Sequence, residues 1–77
     1  MIKAYVLVVA NPGATKNVYA ALENVKGVVE RHEVMGPYDI VVEIEVEDLA
    51  DVPTILSEHI RSIPGVESTT SLVTFPD

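Results

Sequence analysis

The 77-residue chain has no cysteine, so no disulfide or cysteine-ligated metal can staple it. Its two histidines, His32 and His59, have no second His or Cys at ligand spacing, which removes the common metal patterns as well. Cations are few: Lys3, Lys16, Lys26, Arg31 and Arg61 stand scattered against 12 acidic residues, for a formal charge of −7. Phosphate contacts need clustered Lys and Arg, so this balance argues against direct binding of nucleic acid and against an anionic membrane surface. No apolar stretch approaches the ~20 residues that span a bilayer. The opening "MIKAYVLVVANPG" enters alternation at once where a cleavable signal would place an unbroken apolar core. Together these absences predict a cytoplasmic chain with no cofactor and no metal.

What remains is apolar and repetitive. Hydrophobic residues make up 48% of a chain short enough to bury only a modest share of its surface, and with the other staples missing, oligomerisation is the one left to it. Two segments close alike, "VKGVVE" around Gly27 and "IPGVES" around Gly65, 38 positions apart. The same offset lays "IKAYVLVVA" on "IVVEIEVED" and lays Val18, Leu22 and Val25 on Leu56, Ile60 and Ile63. The chain reads as β-α-β written twice.

In the first unit, "NPGAT" supplies a turn, with Thr15 as the expected N-cap. Val18, Ala21, Leu22 and Val25 then recur at helical spacing, and Gly27 ends the helix. In the second, Asp51 is the expected cap, Pro53 falls where a first turn tolerates it, and Ile55, Leu56, Ile60 and Ile63 form the stripe that Pro64-Gly65 stops. Residues 2–9 and 40–46 are the most apolar runs and belong in the middle of a sheet. Residues 28–35 and 66–75, broken by charges or hydroxyls, belong at its edges. This pattern predicts an α+β, ferredoxin-like βαββαβ sandwich, a four-stranded antiparallel sheet with both helices on one face. Ile40, Val42, Ile44 and Val46 should face the helices. In the first strand the other face is apolar too, so Tyr5, Leu7 and Val9, with Val73 and Phe75, predict two sheets packed face to face in a two-fold dimer.

Chemistry-bearing patterns are thin. "ERHE" puts Glu30 and His32 on one side of a strand, as a solvated edge strand also would, and His59 matches Ala21 as a half-buried helix residue. "GATK" lacks the second glycine and the spacing of a phosphate loop, and Glu43 and Glu45 share a face without a pocket. No nucleophile, base and orienting group stand together, so the chain is not expected to be an enzyme.

"MGPYDIVVEIEV" and "IRSIPGVESTTSLVTF", in that order on a βαββαβ pattern, resemble the ligand-binding domain of the Lrp/AsnC transcriptional regulators, the RAM (regulation of amino acid metabolism) domain, over essentially the whole chain. The resemblance implies an amino acid effector held in a cleft between dimers. The family's Gly-x-Tyr-Asp turn falls on Gly36, Tyr38 and Asp39, and its Thr-x-Thr pair on Thr69 and Ser71, where Ser71 keeps the hydroxyl and loses a methyl. Gly36 would let a ligand approach the backbone, Tyr38 would wall the pocket, Asp39 would take an α-ammonium, and the hydroxyls would donate to an α-carboxylate. No arginine falls within the Gly-x-Tyr-Asp turn or the Thr-x-Thr pair, which leaves backbone amides to assist.

The resemblance also implies one RAM domain over residues 1–77, without the helix-turn-helix DNA-binding domain of full-length members. It implies dimers closing into a ring such as an octamer, and mixed assembly with a full-length Lrp/AsnC regulator. Two other readings share the architecture: a small dimeric oxygenase or isomerase, and an assembly partner whose pocket is lost.

Overall fold

The computed structural model describes residues 1–75. In chain order the elements are β1 (Ile2–Ala10), α1 (Thr15–Leu22), β2 (Val28–Glu33), β3 (Ile40–Val46), α2 (Asp51–Thr54), which runs on as a π-helical segment (Ile55–Ile60), and β4 (Val66–Val73). The sheet order is β2-β3-β1-β4 with every neighbour antiparallel. The two apolar strands are therefore central and the two interrupted ones are edges, as the patterning predicts.

Alternation decides which face is covered. Ala4, Val6, Val8 and Ala10 of β1 and Ile40, Val42, Ile44 and Val46 of β3 are buried against Val18, Leu22, Val52, Ile55 and Ile60 from the helices. Among the described residues no polar side chain is buried, so the core is apolar throughout.

The helix ends depart from the sequence-based expectations. Thr15 is the first helical residue and not the cap: Ala14 stands at the N-cap without a side-chain bond, because the Asn11 carbonyl accepts the Ala14 N–H at 2.9 Å and closes the turn by itself. Helix α1 stops at Leu22, five residues before Gly27. Its last turn tightens into bonds from Glu23, Asn24 and Val25 to carbonyls three residues back. Asp51 is likewise first in its helix, after an Asp48 turn in which the Asp48 carboxylate accepts the Ala50 N–H at 3.0 Å.

The π-helical stretch was not legible from apolar spacing. The Ser57 hydroxyl donates to the Pro53 carbonyl at 2.9 Å and so competes for an acceptor that α-winding would use. The Arg61 N–H instead reaches the Leu56 carbonyl five residues back, at 2.8 Å. That winding aligns Ile55 with Ile60, both buried, and turns His59 out to solvent rather than onto the sheet.

Each closing glycine lies against the start of the other unit's helix. A Cβ at Gly27 would stand 3.2 Å from Ile55 Cδ1, and one at Gly65 only 2.7 Å from Ala14 Cβ. The repeat seen in the sequence is thus a reciprocal packing of the two β-α-β units.

Candidate functional site

The Gly36-Pro37-Tyr38-Asp39 corner joins β2 to β3. It is closed at its base by the Val34 N–H donating to the Asp39 carbonyl at 2.9 Å. Gly36 has φ of +138°, where side chains are disfavoured, yet a Cβ built there meets nothing within 4 Å. The demand for glycine is torsional and leaves room beside the backbone. Gly36→Ala is therefore expected to cost about 1–2 kcal/mol of stability without disturbing the packing, as measured by urea unfolding with an unchanged m-value.

Asp39 grips β1 at two points. Its N–H donates to the Val8 carbonyl at 2.9 Å, and its Oδ2 accepts the Ala10 N–H at 2.8 Å. From the other side of β1, the Gly65 carbonyl accepts the Asn11 N–H at 2.8 Å. Both motifs singled out in the sequence thus clasp the last residues of one central strand.

The hydroxyls of β4 lie across β1 from this corner. Thr69 pairs with Val8 and Ser71 with Val6, so both share the helix-side face with those buried valines. Ile40 and Thr69 flank the same residue of β1, which sets the strand leaving the corner and the first hydroxyl two strand spacings apart, about 10 Å. Thr69 is half-buried, while Ser71 and Gly36 are exposed and Tyr38 is half-buried.

An arginine does reach the site, contrary to the reading of the sequence. Arg61, just past the π-helical segment, donates from Nε to Thr69 Oγ1 at 3.1 Å. The two residues stand four positions either side of Gly65, so the reversal at Pro64-Gly65 folds them together. That symmetry about the turn was the available signal. Beside them is a hollow of about 290 Å³ lined by Arg61, Val66, Glu67, Ser68 and Thr69. A larger open hollow of about 530 Å³, with Lys26, Asp51 and His59 among its walls, contains no residue of the corner or of the β4 hydroxyl pair.

The face away from the helices carries Tyr5, Leu7 and Val9, as expected. Val73 does not join them: it pairs with Ala4 and belongs to the helix side, and Leu72, opposite Tyr5, takes its place. The cause is a bulge between Val9 and Ala10, which leaves Glu67 out of the ladder and exchanges the two faces of the rest of β4. Phe75 follows the strand end and is 93% exposed. The same face holds His32 opposite Val41, Glu30 opposite Glu43, and a Lys3–Glu43 ion pair at 3.9 Å. Among the described residues no group of three or more His, Cys, Asp or Glu side chains is placed to hold a metal ion, and no helix is long and apolar enough to cross a membrane.

A family model, the Lrp/AsnC ligand binding domain, matches residues 3–76. An uncharacterized HTH-type transcriptional regulator of Pyrococcus furiosus, PF0250, is 35% identical over 75 residues, covering 94% of this chain. The chain spans 50% of the length of that relative. Among solved structures, TTHA0845 from Thermus thermophilus matches with a TM-score of 0.95 at 30% identity, covering 100% of this chain and 96% of that one. A feast or famine regulatory protein from M. tuberculosis, complexed with L-methionine, shares the fold with a TM-score of 0.83 at 22% identity, over 100% of this chain and 52% of that one.

Proposed function

Since the chain belongs to the Lrp/AsnC ligand binding domain family, a regulatory domain of transcription regulators, we propose that it is a cytoplasmic, non-enzymatic sensor that binds an amino acid and assembles with copies of itself. The observation that carries the reading is the convergence of the two family motifs on the end of β1, with Asp39 on one flank and the Thr69 hydroxyl on the other. Groups ~10 Å apart on a single surface suit a ligand completed by a neighbouring copy better than an enclosed pocket of one chain. The L-methionine complex of the M. tuberculosis relative supports an amino acid as the ligand class.

Assembly is part of the proposal. Tyr5, Leu7 and Val9 form an apolar stripe on the uncovered sheet face, and two such faces packed about a two-fold axis would cover it in both chains. Dimers then close into a ring that brings corner and hydroxyls of different copies together, and a full-length regulator of the family can enter the same ring.

The test is thermal unfolding against the standard amino acids at fixed protein concentration. A ligand that binds only the folded chain adds about 2.7 kcal/mol at a hundredfold excess over its Kd. One or a few amino acids are expected to raise Tm selectively. Asp39→Ala would confound the result, because it also orphans the Ala10 N–H. Asp39→Asn keeps an acceptor oxygen there and removes the charge. It is expected to hold the unliganded Tm within a few degrees and to abolish most of the shift. A flat response across the panel would overturn the sensor reading.

A further inference from the structure

The uncovered sheet face is divided by charge. Its β2 and β3 half carries three carboxylates, Glu30, Glu43 and Glu45, with Glu30 directly opposite Glu43, and His32 shares that half. The paired positions of its β1 and β4 half carry no carboxylate and one cation, Lys3, which stands opposite Glu45 in its own chain and 3.9 Å from Glu43. One half of the face is therefore acidic, and the other is apolar, hydroxyl-bearing and cationic. For a chain of formal charge −7 this division decides how two copies can meet.

A two-fold axis between two packed faces can cross the strands or run along them. Crossing them lays each strand on its own copy, so β3 covers β3 and the acidic half covers the acidic half. Running along them reverses the strand order β2-β3-β1-β4, so β3 covers the partner's β1 and β2 covers the partner's β4. The first arrangement takes carboxylates out of water beside other carboxylates, which is costly. The second sets every carboxylate of one face against the acid-free half of the other. It also keeps each cross-strand row at its own level, and Lys3 shares a row with Glu45 as Leu7 does with Val41.

Resting on the reading that two of these faces pack about a two-fold axis, we infer that the axis runs along the strands, so that Lys3 of each copy meets the partner's Glu45 and Leu7 meets the partner's Val41. The occupant of the face is a second copy of this chain, selected by charge as well as by apolar contact. Mixed assembly is then confined to related domains that keep a cation near the start of the first strand and a carboxylate near the end of the third.

The experiment uses two reversals, Lys3→Glu and Glu45→Lys, each in the full chain, with dimers counted by sedimentation and identified by native mass spectrometry. Alone, each is expected to raise the dimer Kd about ten- to hundredfold, since two like-charged contacts replace two ion pairs. Mixed and refolded together, the two variants should form heterodimers as tight as wild type. That rescue requires contact between chains, because within each variant chain the residues at positions 3 and 45 still carry like charges. Lys16→Glu makes the same charge change on an exposed helix residue and should pair with itself in preference to Glu45→Lys. Circular dichroism verifies each fold. Should a reversal not fold, Lys3→Gln and Glu45→Gln replace it: non-additive effects on the dimer Kd support the pair, and additive ones overturn it. A wild-type dimer that Leu7→Asp dissociates, with no rescue on mixing, overturns the inference and leaves the sheet-to-sheet reading standing. A wild-type chain that stays monomeric, or a dimer that Leu7→Asp leaves intact, overturns both.

Discussion

Gly65→Ala is expected to lower the unfolding free energy by about 2–4 kcal/mol, the largest loss of stability anticipated here for the removal of no interaction at all. Two costs combine. Gly65 has φ of +99°, a conformation that disfavours any L side chain, at about 1–2 kcal/mol. The added Cβ would also stand 2.7 Å from Ala14 Cβ and 3.2 Å from Val18 Cγ2. Ala14 is the N-cap of α1 and Val18 is fully buried, so neither is the free end of a flexible side chain that can swing aside. Relief requires moving the start of α1 away from the Pro64-Gly65 turn, and that strains the bond from Asn11 to the Gly65 carbonyl.

For a domain of this size the whole stability is about 4–12 kcal/mol, so the substitution removes a large fraction of it. In thermal terms the drop is about 10–30 °C. Gly36→Ala provides the comparison, since Gly36 shares the torsional demand but has empty space around it. The difference between the two variants isolates the contact with α1. Equal losses would mean that α1 yields freely and that the reciprocal packing of the two units is loose.

The repeat behind that packing was visible in the sequence, because Gly27 and Gly65 recur at one offset inside matching apolar patterns, but the contact of each glycine with the other unit's helix was not. Also visible were the sheet order and the inward faces of β1 and β3, which follow from unbroken alternation over Ile2–Ala10 and Ile40–Val46. Local hydrogen bonding was less legible. The Asn11 and Asp48 turns displaced both expected caps, and Ser57, a residue without apolar signal, accompanies the change of winding in the second helix.

The largest consequence came from a single residue. Continuing the Ala10–Val66 pairing without interruption would place Thr69, Ser71 and Val73 on the uncovered face. The bulge at Glu67 puts them on the helix side and sends Ser68, Thr70 and Leu72 to the uncovered face. Period-two alternation carries no mark of an inserted residue when both faces of an edge strand are built of small hydroxyl and apolar side chains. The Arg61–Thr69 contact was lost for a related reason, since it depends on where β4 begins to pair.

Leu7→Asp, finally, is expected to leave the protomer folded and to raise the Kd of the proposed sheet-to-sheet dimer by about a thousandfold or more. Leu7 sits at the centre of the uncovered face, between Val41 of β3 and Thr70 of β4, and contributes nothing to the core on the other side. A two-fold interface doubles every substitution. Two buried leucines contribute about 3–6 kcal/mol, and two carboxylates in their place must be desolvated as well, so about 4 kcal/mol, three decades in Kd, is a lower bound. Sedimentation velocity over a range of concentrations measures the change, and circular dichroism verifies the fold. Val73→Asp makes the measurement specific. Counting strand residues without the bulge would put Val73 on the interface, whereas its pairing with Ala4 puts it on the helix side. The observed register therefore predicts that Val73→Asp leaves the dimer intact. Dissociation by Val73→Asp and not by Leu7→Asp would relocate the interface to the helix side of β4.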